Sequence, residues 1–237
     1  MPAVPNRART RARSTVYGAV AWIVGVVQFV IGMGIAQAGY GPPTYSLTGN
    51  YISDLGAAYC GTWHGGGSFS GFYVCSPWHL AFNLSIIALG LLLLAGTILV
   101  YPAIRPGAAR AIWFGLFVIA AAGAIGVGLF PEDVNTSAHV VSALLAFAGS
   151  GLALVVLGLG IARDPRWEGL SLYTVASGIL GLVALVLFGM TIYGPLGVGG
   201  MERLIVAPVL LWAVVAAIHV LRMPTSARTG VGAGHHA

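Results

Sequence analysis

The sequence predicts an all-α integral membrane protein, a six-transmembrane-helix bundle with one long extracytoplasmic loop. Of the 237 residues, 58% are hydrophobic and only 7% are charged, whereas a soluble domain carries about 25% charged residues. Six separate stretches are apolar over roughly the 20 residues that a transmembrane helix needs. The connections between these stretches are short, except for the segment 39–76.

The six apolar stretches divide the chain into one transmembrane domain and two tails. We expect the domain over residues 15–222, a disordered basic N-terminus over 1–14 and a disordered tail over 223–237. Small residues in the fifth stretch are compatible with close helix packing. The predicted spans are residues 16–38, 77–101, 109–130, 138–161, 170–193 and 203–222.

The arginines predict the orientation of these spans. All eleven basic residues are arginine, and six spans place ten of them on one side of the membrane. Basic residues in short loops beside transmembrane helices stay cytoplasmic. We therefore expect a multi-pass protein of the plasma membrane with both termini in the cytoplasm, and Arg203 is the single basic residue expected on the outer side.

The first apolar stretch has an alternative interpretation as a cleaved signal peptide. Arginines precede it, and Ala36-Gln37-Ala38 resembles a cleavage site. The run from Val16 to Ile35 is longer than a typical signal core, which favours a retained transmembrane helix. Cleavage would leave the remaining topology unchanged.

The composition also bears on partners and cofactors. A net charge of +5 would suit a nucleic-acid-binding protein only if the basic residues shared one water-facing surface. Here they flank apolar spans, so we predict membrane lipids as partners and no nucleic acid. The glycine-rich stretch GTWHGGGSFSGFY lacks the Lys-Ser/Thr pair of a phosphate-binding loop. No cofactor and no metal are predicted.

Polar side chains gather at the outer ends of the predicted helices. Four of the six acidic residues lie on this side, opposite to the arginines. Polar groups at membrane depth are costly and usually face the bundle interior or a wet cavity. We therefore predict a polar pocket that opens outward. Its candidate ligand-binding residues are Asp54, His79, Asn83, His139, Glu202 and Arg203.

Local spacing places several of these residues. Ser76 and Pro77 suit the cap and the first turn of the second helix. His79 and Asn83 are four residues apart and share one face of that helix. Glu202 is expected at the start of the sixth helix, where an acidic side chain is favoured by the helix dipole.

The long outer loop contains the only two cysteines, Cys60 and Cys75. Both lie on the oxidising side of the membrane, so a disulfide is predicted, with two free thiols as the alternative. Closing a loop of about 15 residues contributes about 3 kcal/mol in the chain-entropy picture. The loop also carries aromatic residues, which favour the membrane interface. They are Tyr40, Tyr45, Tyr51, Trp63, Phe69, Phe72 and Tyr73, with His64 among them.

Several motifs resemble a known family in order along the chain. They are YISDLG, SPWHLAFN, GVGLFPED, HVVSALLAF and GMERLIVAPVLLW. Between residues 16 and 222 the chain resembles the uncharacterised membrane family known as domain of unknown function 998. The family pattern corresponds here to Asp54, Gly56, Pro77, Asn83, Pro131, His139, Glu202 and Arg203.

A more distant similarity is to the Frag1/DRAM/Sfk1 group. It rests on Ile52-Ser53-Asp54 with Gly56, and on His139 with Ala143 and Phe147. That group also has six helices and is associated with lipid remodelling and lipid handling. The resemblance implies a similar fold and a lipid-related role, and it supplies no established reaction.

Three functional hypotheses follow from these observations. In the first, the chain binds or handles a lipid, and Arg203 contacts a phosphate bidentately. In the second, it is an intramembrane hydrolase or transferase with His139 or Asp54 as the catalytic base. In the third, the same residues only tie the outer helix ends together, with Asp54 paired to Arg203.

Two further mechanisms have weaker support in the sequence. A metal-dependent enzyme would recruit Asp54, His79 and His139, but the chain has neither a His-Glu-x-x-His motif nor a Gly-x-Ser-x-Gly elbow. Ion-coupled transport is disfavoured because the spans lack acids or arginines near mid-membrane.

Overall fold

The structure, a computed structural model, describes residues 6–62 and 73–228. It confirms the predicted fold class, since six of its helices are long and apolar enough to cross a membrane. These helices are α1 (Asn6–Ala38), α2 (His79–Val100), α3 (Ala108–Leu129), α4 (Thr136–Ile161), α5 (Leu170–Gly189) and α6 (Gly197–Arg222).

The six helices form a closed ring. Each helix packs against the next along the chain, and α1 packs against α6. We call the end that carries Asp54, Glu132 and Glu202 the carboxylate end, and the end that carries Arg110 and Arg166 the arginine end. The long segment between α1 and α2 lies over the carboxylate end, where its 3₁₀ turn contacts both helices.

Large aromatic side chains fill the centre of the ring. The ring centroid of Trp212 lies 5.4 Å from that of Trp22 and 5.9 Å from that of Phe117. Both indole nitrogens are satisfied, because Trp22 donates to Leu93 O (3.1 Å) and Trp212 donates to Thr174 Oγ1 (2.9 Å). Paired in this way, the polar edges of these rings cost little inside the bundle.

Glycines bring α4 and α5 together in the half of the bundle nearer the arginine end. A Cβ atom on Gly178 would lie only 2.6 Å from the carbonyl oxygen of Gly151. Small residues allow membrane helices to approach in this way. No glycine makes such a contact between residues 136–150 of α4 and 183–189 of α5, all of which the structure describes. The two helices are therefore held tightly at one end only.

Replacing Gly178 by valine should lower the free energy of unfolding by about 1–3 kcal/mol, because overpacking a tight contact forces the helices apart. Gly115→Val is the matched control, since a Cβ atom at Gly115 has no neighbour within 4 Å. Denaturation of the purified protein in mixed micelles, followed by circular dichroism, measures both. Equal losses in the two variants would contradict the assigned contact.

The structure differs from the prediction at both ends of the chain. Residues 6–14, predicted to be disordered, continue α1, because arginine and alanine are good helix formers. In the predicted tail, Thr225–Arg228 forms a short helix, α7. Its Arg228 donates from Nε to Val220 O (3.1 Å) and also bonds the carbonyl oxygen of Leu221. These bonds satisfy carbonyls at the end of α6. Residues 1–5 and 229–237 lie outside the described part.

Two predicted helix starts are also wrong. α6 begins at Gly197, so Glu202 lies inside the helix and not at its first turn. The start of α6 docks beneath the long loop, where Gly199 N donates to Thr48 O (2.9 Å). Ser76 does not cap α2, because its hydroxyl donates to Leu55 O (2.7 Å) and thereby ties α2 to the loop.

Candidate functional site

The Ser53–Gly56 segment forms a buried 3₁₀ turn at the carboxylate end. Asp54 stabilises the turn from within, because its Oδ2 accepts from the backbone N–H of Tyr51 (3.2 Å) and from Asn50 Nδ2 (2.7 Å). The turn must pack closely on α2, since a Cβ atom on Gly56 would lie 2.4 Å from Asn83 Oδ1. Asn83 in turn donates to Gly56 O (2.9 Å).

Two more buried carboxyl groups converge on this turn, Glu132 from the connection between α3 and α4 and Glu202 from α6. Ser53 Oγ donates to Glu132 Oε2 (2.6 Å), and the backbone N–H of Ile52 donates to Glu202 Oε2. Asp54, Glu132 and Glu202 are 4%, 8% and 6% exposed, respectively. Buried acidic side chains are uncommon unless they are paired, which marks this end as a site where charge is concentrated.

Burial shifts the pKa of the two loop carboxyls upward. For Glu132, burial raises the pKa well above its usual range, and the charge of nearby Asp54 adds to this effect. Burial also raises the pKa of Asp54, although hydrogen bonds from Glu132 and Asn50 oppose the shift. Two carboxyls in contact cannot both ionise without cost. Burial and the neighbouring Asp54 therefore both favour the protonated form of Glu132, whose hydroxyl can donate to the Asp54 carboxylate.

These shifts predict that stability falls as the pH rises. Folded Glu132 keeps a proton that the unfolded chain releases, so its contribution is complete below pH 4.5 and is lost as the pH rises towards the raised pKa. Glu132→Gln should flatten the decline in unfolding temperature as the pH rises above 4.5. Glu168→Gln removes an exposed carboxyl at the arginine end and should leave the slope unchanged. A slope in Glu132→Gln as steep as that of the wild type would rule out this assignment.

Arg203 fastens the long loop to α6. Its Nη1 donates to the carbonyl oxygens of Leu47 (2.9 Å), Asn50 (3.3 Å) and Gly199 (2.8 Å). Its Nη2 donates to Tyr45 Oη (2.5 Å), and the guanidinium lies 5.4 Å from the centre of the Tyr45 ring. The donors of this side chain are therefore directed at the protein itself.

The predicted ion pair between Asp54 and Arg203 is wrong. Among the residues that the structure describes, the single salt bridge joins Asp164 and Arg166 (2.6 Å) at the arginine end. The guanidinium of Arg203 is held by loop carbonyls, whereas Asp54 is held by the Asn50 side chain and by the backbone N–H of Tyr51. Both residues stabilise the same loop from different sides.

Two cavities adjoin at the carboxylate end. The central cavity, about 90 Å³, lies among α1, α2, α3, α4 and α6, and the lateral cavity, about 270 Å³, lies between the ends of α4 and α5. The lateral cavity is bounded by Val140 and Leu144, which are 47% and 53% exposed on the side of the bundle. The cavities share a wall formed by Ser53, His139, Ala143, Phe147 and Glu202.

His139 is fixed in this shared wall. Its Nδ1 lies 2.8 Å from Phe130 O. A carbonyl oxygen can only accept, so Nδ1 carries the hydrogen, and the neutral ring has an unprotonated Nε2. Asn135 supports the position of His139, because its side chain caps α4 by accepting from the backbone N–H of Ala138 (3.1 Å).

The six predicted ligand-binding residues separate into two groups. His139 and Glu202 line both cavities, whereas Asp54, His79, Asn83 and Arg203 line neither of them. His79 Nδ1 bonds the carbonyl oxygen of Ser76 (3.1 Å). Four of the six thus hold the loop and the helix ends together.

Sequence reasoning did not place Ser53 and Glu132 in the pocket, although both line the lateral cavity. Glu132 stands out only as an acid after a proline that ends a helix. Ser53 carries no signal of its own, because serine is common in loops. Their partnership across 79 residues depends on the fold.

The predicted disulfide between Cys60 and Cys75 is confirmed. It joins two short antiparallel strands, β1 (Gly61–Thr62) and β2 (Tyr73–Val74). Asp133 fastens the chain just before it, accepting from the N–H groups of Ala58 (3.0 Å) and Tyr59 (2.7 Å). The predictions for Trp63, His64, Phe69 and Phe72 concern residues outside the described part.

No metal-ligating cluster is found in the part of the chain that the structure describes. No three side chains among its histidines, cysteines, aspartates and glutamates are arranged to hold a metal ion. The ligand set proposed for a metal enzyme, Asp54 with His79 and His139, is accordingly not brought together.

Comparison with known proteins gives one match. The model of the family described as "Protein of unknown function (DUF998)" matches residues 23–219, which reach from α1 to α6. This match confirms the first resemblance predicted from the motifs. No curated protein and no solved structure matches the chain. The similarity to the Frag1/DRAM/Sfk1 group stays a prediction.

Proposed function

This chain is a multi-pass membrane protein of the DUF998 family, and we propose that it binds a membrane lipid in the two cavities at its carboxylate end. The observation that carries the proposal is the shared cavity wall, where Glu202 and His139 meet apolar side chains. Ligand sites commonly combine an apolar lining with a few convergent polar groups.

The lateral cavity provides the entrance. Glycine contacts hold α4 to α5 only in the half nearer the arginine end, and the cavity lies between the helices beyond those contacts. Exposed Val140 and Leu144 at its margin would face the hydrocarbon of a bilayer. A lipid can therefore enter sideways, without passing the loop that covers the carboxylate end.

The size of the cavities limits what they hold. Small-molecule pockets usually measure about 300–1,000 Å³, and the two cavities measure about 90 Å³ and about 270 Å³. Together they suit a single-chain amphiphile, or one chain of a larger lipid. A complete two-chain phospholipid would have to leave part of itself in the bilayer.

Selectivity has to come from the polar wall. An acyl chain gains little on leaving the bilayer for an apolar cavity, because lipid tails are as apolar as the cavity lining. The polar groups of Ser53, His139 and Glu202 offer the interactions that the hydrocarbon lacks. We propose that the head of the lipid contacts these three residues, while its chain lies among the apolar side chains.

The membrane orientation belongs to the same proposal. The arginine distribution favours a cytoplasmic arginine end, so the carboxylate end would lie in the outer leaflet of the plasma membrane. The disulfide between Cys60 and Cys75 supports this orientation, since disulfides persist on the oxidising side.

Binding is favoured over the two alternatives. As an enzyme the chain would use Asp54 poorly as a base, because Asp54 lines neither cavity. Arg203 would not stabilise an oxyanion, because it donates to carbonyl oxygens of the loop. A purely structural role accounts for Asp54 and Arg203, but it leaves the cavities beside His139 and Glu202 without a purpose.

Photo-crosslinking in cells tests the proposal. A photoactivatable amino acid at Leu185, which lines the lateral cavity, should capture one enriched lipid species, identified by mass spectrometry. The same amino acid at Val183 is the matched control, because this residue is 51% exposed on the same helix and lines neither cavity. Its adducts should reproduce the bulk lipid composition. Identical adducts at both positions would overturn the proposal.

A further inference from the structure

Three serine and threonine hydroxyl groups that line the two cavities have already donated their hydrogens. Ser53 Oγ donates to the side chain of Glu132 (2.6 Å), and Thr136 Oγ1 donates to the carbonyl oxygen of Glu132 (2.8 Å). Ser150 Oγ donates to Phe147 O (3.2 Å). Each of these hydroxyl oxygens therefore presents lone pairs to a ligand.

The imidazole of His139 and the carboxyl group of Glu202 also present hydrogen-bond acceptors to the cavities. His139 uses its Nδ1 hydrogen on Phe130 O, which leaves Nε2 as an acceptor in the neutral ring. Glu202 accepts from Ile52 N–H and remains a carboxyl group in the wall of both cavities. The polar wall is thus rich in acceptors and poor in donors.

The balance of charge points in the same direction. Glu202 lines both cavities, and Glu132, which lines the lateral cavity, shares one proton with neighbouring Asp54, so that this pair keeps one negative charge. No arginine side chain that the structure describes lines either cavity. The nearby Arg203 directs its Nη donors at three carbonyls and a tyrosine hydroxyl. An anionic head would meet carboxyl groups here without a compensating cation, at a cost that grows in a low dielectric.

We infer that the site selects amphiphiles with a primary ammonium head, long-chain amines and amino lipids, and rejects those with a phosphate or carboxylate head. The inference rests on the proposed function and names its ligand class. An ammonium offers three donors and no acceptor, which complements Glu202, His139 and Ser53. Its charge would also favour the ionised form of Glu202.

Competition at the lateral cavity tests the inference. The protein with the photoactivatable residue at Leu185 is placed in nanodiscs of zwitterionic phosphatidylcholine. The lipid that forms adducts at Leu185 in cells is added to these nanodiscs. Hexadecylamine, hexadecanol, hexadecanoate and hexadecyl phosphate share one chain and differ in their heads. Hexadecylamine should block adduct formation at least about tenfold more effectively than either anion, as expected for a charge-assisted contact.

Two variants test whether the preference for the amine depends on residues of the shared cavity wall. Glu202→Gln keeps an oxygen that accepts from Ile52 N–H, and it should reduce the advantage of the amine over hexadecanol by about tenfold. Ser53→Ala is a second variant, should the first fail to fold, because it removes another acceptor of the shared wall and should weaken the preference in the same direction. Asp133→Asn is the matched control, since Asp133 lies at the same end of the bundle but lines neither of the two cavities. It should preserve the preference.

The outcomes separate the ligand class from the proposed function. Preference for the amine that disappears in Glu202→Gln supports the inference. Equal competition by all four heads, or stronger competition by the anions, overturns the ligand class but leaves lipid binding intact. Failure of every amphiphile to compete, together with bulk-like adducts at Leu185, overturns both.

Discussion

Replacing Ala143 by tryptophan should abolish lipid capture in the cavities. Ala143 lines both of them, so a large ring at this position would fill the space that the lipid needs. We expect adduct formation at Leu185 to fall at least about tenfold, a loss of about 1.4 kcal/mol or more in binding free energy. Mass spectrometry of adducts from cells that express the variant measures the loss.

Leu145→Trp is the matched control for this variant. Leu145 lies on the same helix, is 43% exposed on the side of the bundle and lines neither cavity. It introduces the same ring where only bilayer lipid would surround it, so capture should be retained. A folded Ala143→Trp protein that captures lipid like the wild type would show that the ligand binds elsewhere.

Removing the Arg203 side chain should destabilise the protein by about 3 kcal/mol, because hydrogen bonds to charged groups contribute about 1.5–3 kcal/mol each. In Arg203→Ala the carbonyl groups of Leu47 and Asn50 lose this donor, and the Tyr45 hydroxyl oxygen no longer accepts from Nη2. The free energy of unfolding in mixed micelles, followed by tryptophan fluorescence, measures the effect.

Arg203→Lys distinguishes the guanidinium from its charge. Lysine keeps the charge but lacks the planar fork that reaches several acceptors at once, so we expect an intermediate loss of stability. The sequence-based hypothesis of a phosphate-binding arginine predicts another result. If Arg203→Ala kept its stability and lost lipid capture, Arg203 would be a ligand residue and the fastening role would be wrong.

The sequence was sufficient to predict the fold because hydrocarbon thickness sets the length of a spanning helix. It was less informative about helix ends. The glycines at 197, 199 and 200 resembled a loop, since glycine is a poor helix former. Helix α6 nevertheless includes them. A Cβ atom on Gly199 would lie 2.0 Å from Asn50 O. Close docking of the loop, which sequence periodicity does not report, requires glycine there.

For the site, the sequence predicted which residues gather at one end but not which atoms meet. Asp54, Glu202 and His139 do lie at the carboxylate end. The predicted pairing of Asp54 with Arg203 was wrong because carbonyl oxygens of the loop accept the hydrogen bonds of the guanidinium. Every residue carries a backbone carbonyl, so the pattern of side chains does not indicate which carbonyl oxygens accept hydrogen bonds from an arginine.

The contact between Ile52 and Glu202 joins residues 150 positions apart. The ribosome synthesises α1 long before α6, so the loop does not contact α6 until synthesis is nearly complete. Until then the N–H of Ile52 and the carbonyl of Leu47 lack the partners that α6 supplies. A chain truncated before α6 would therefore lack Glu202 and Arg203, and with them one wall of both cavities and the fastening of the loop.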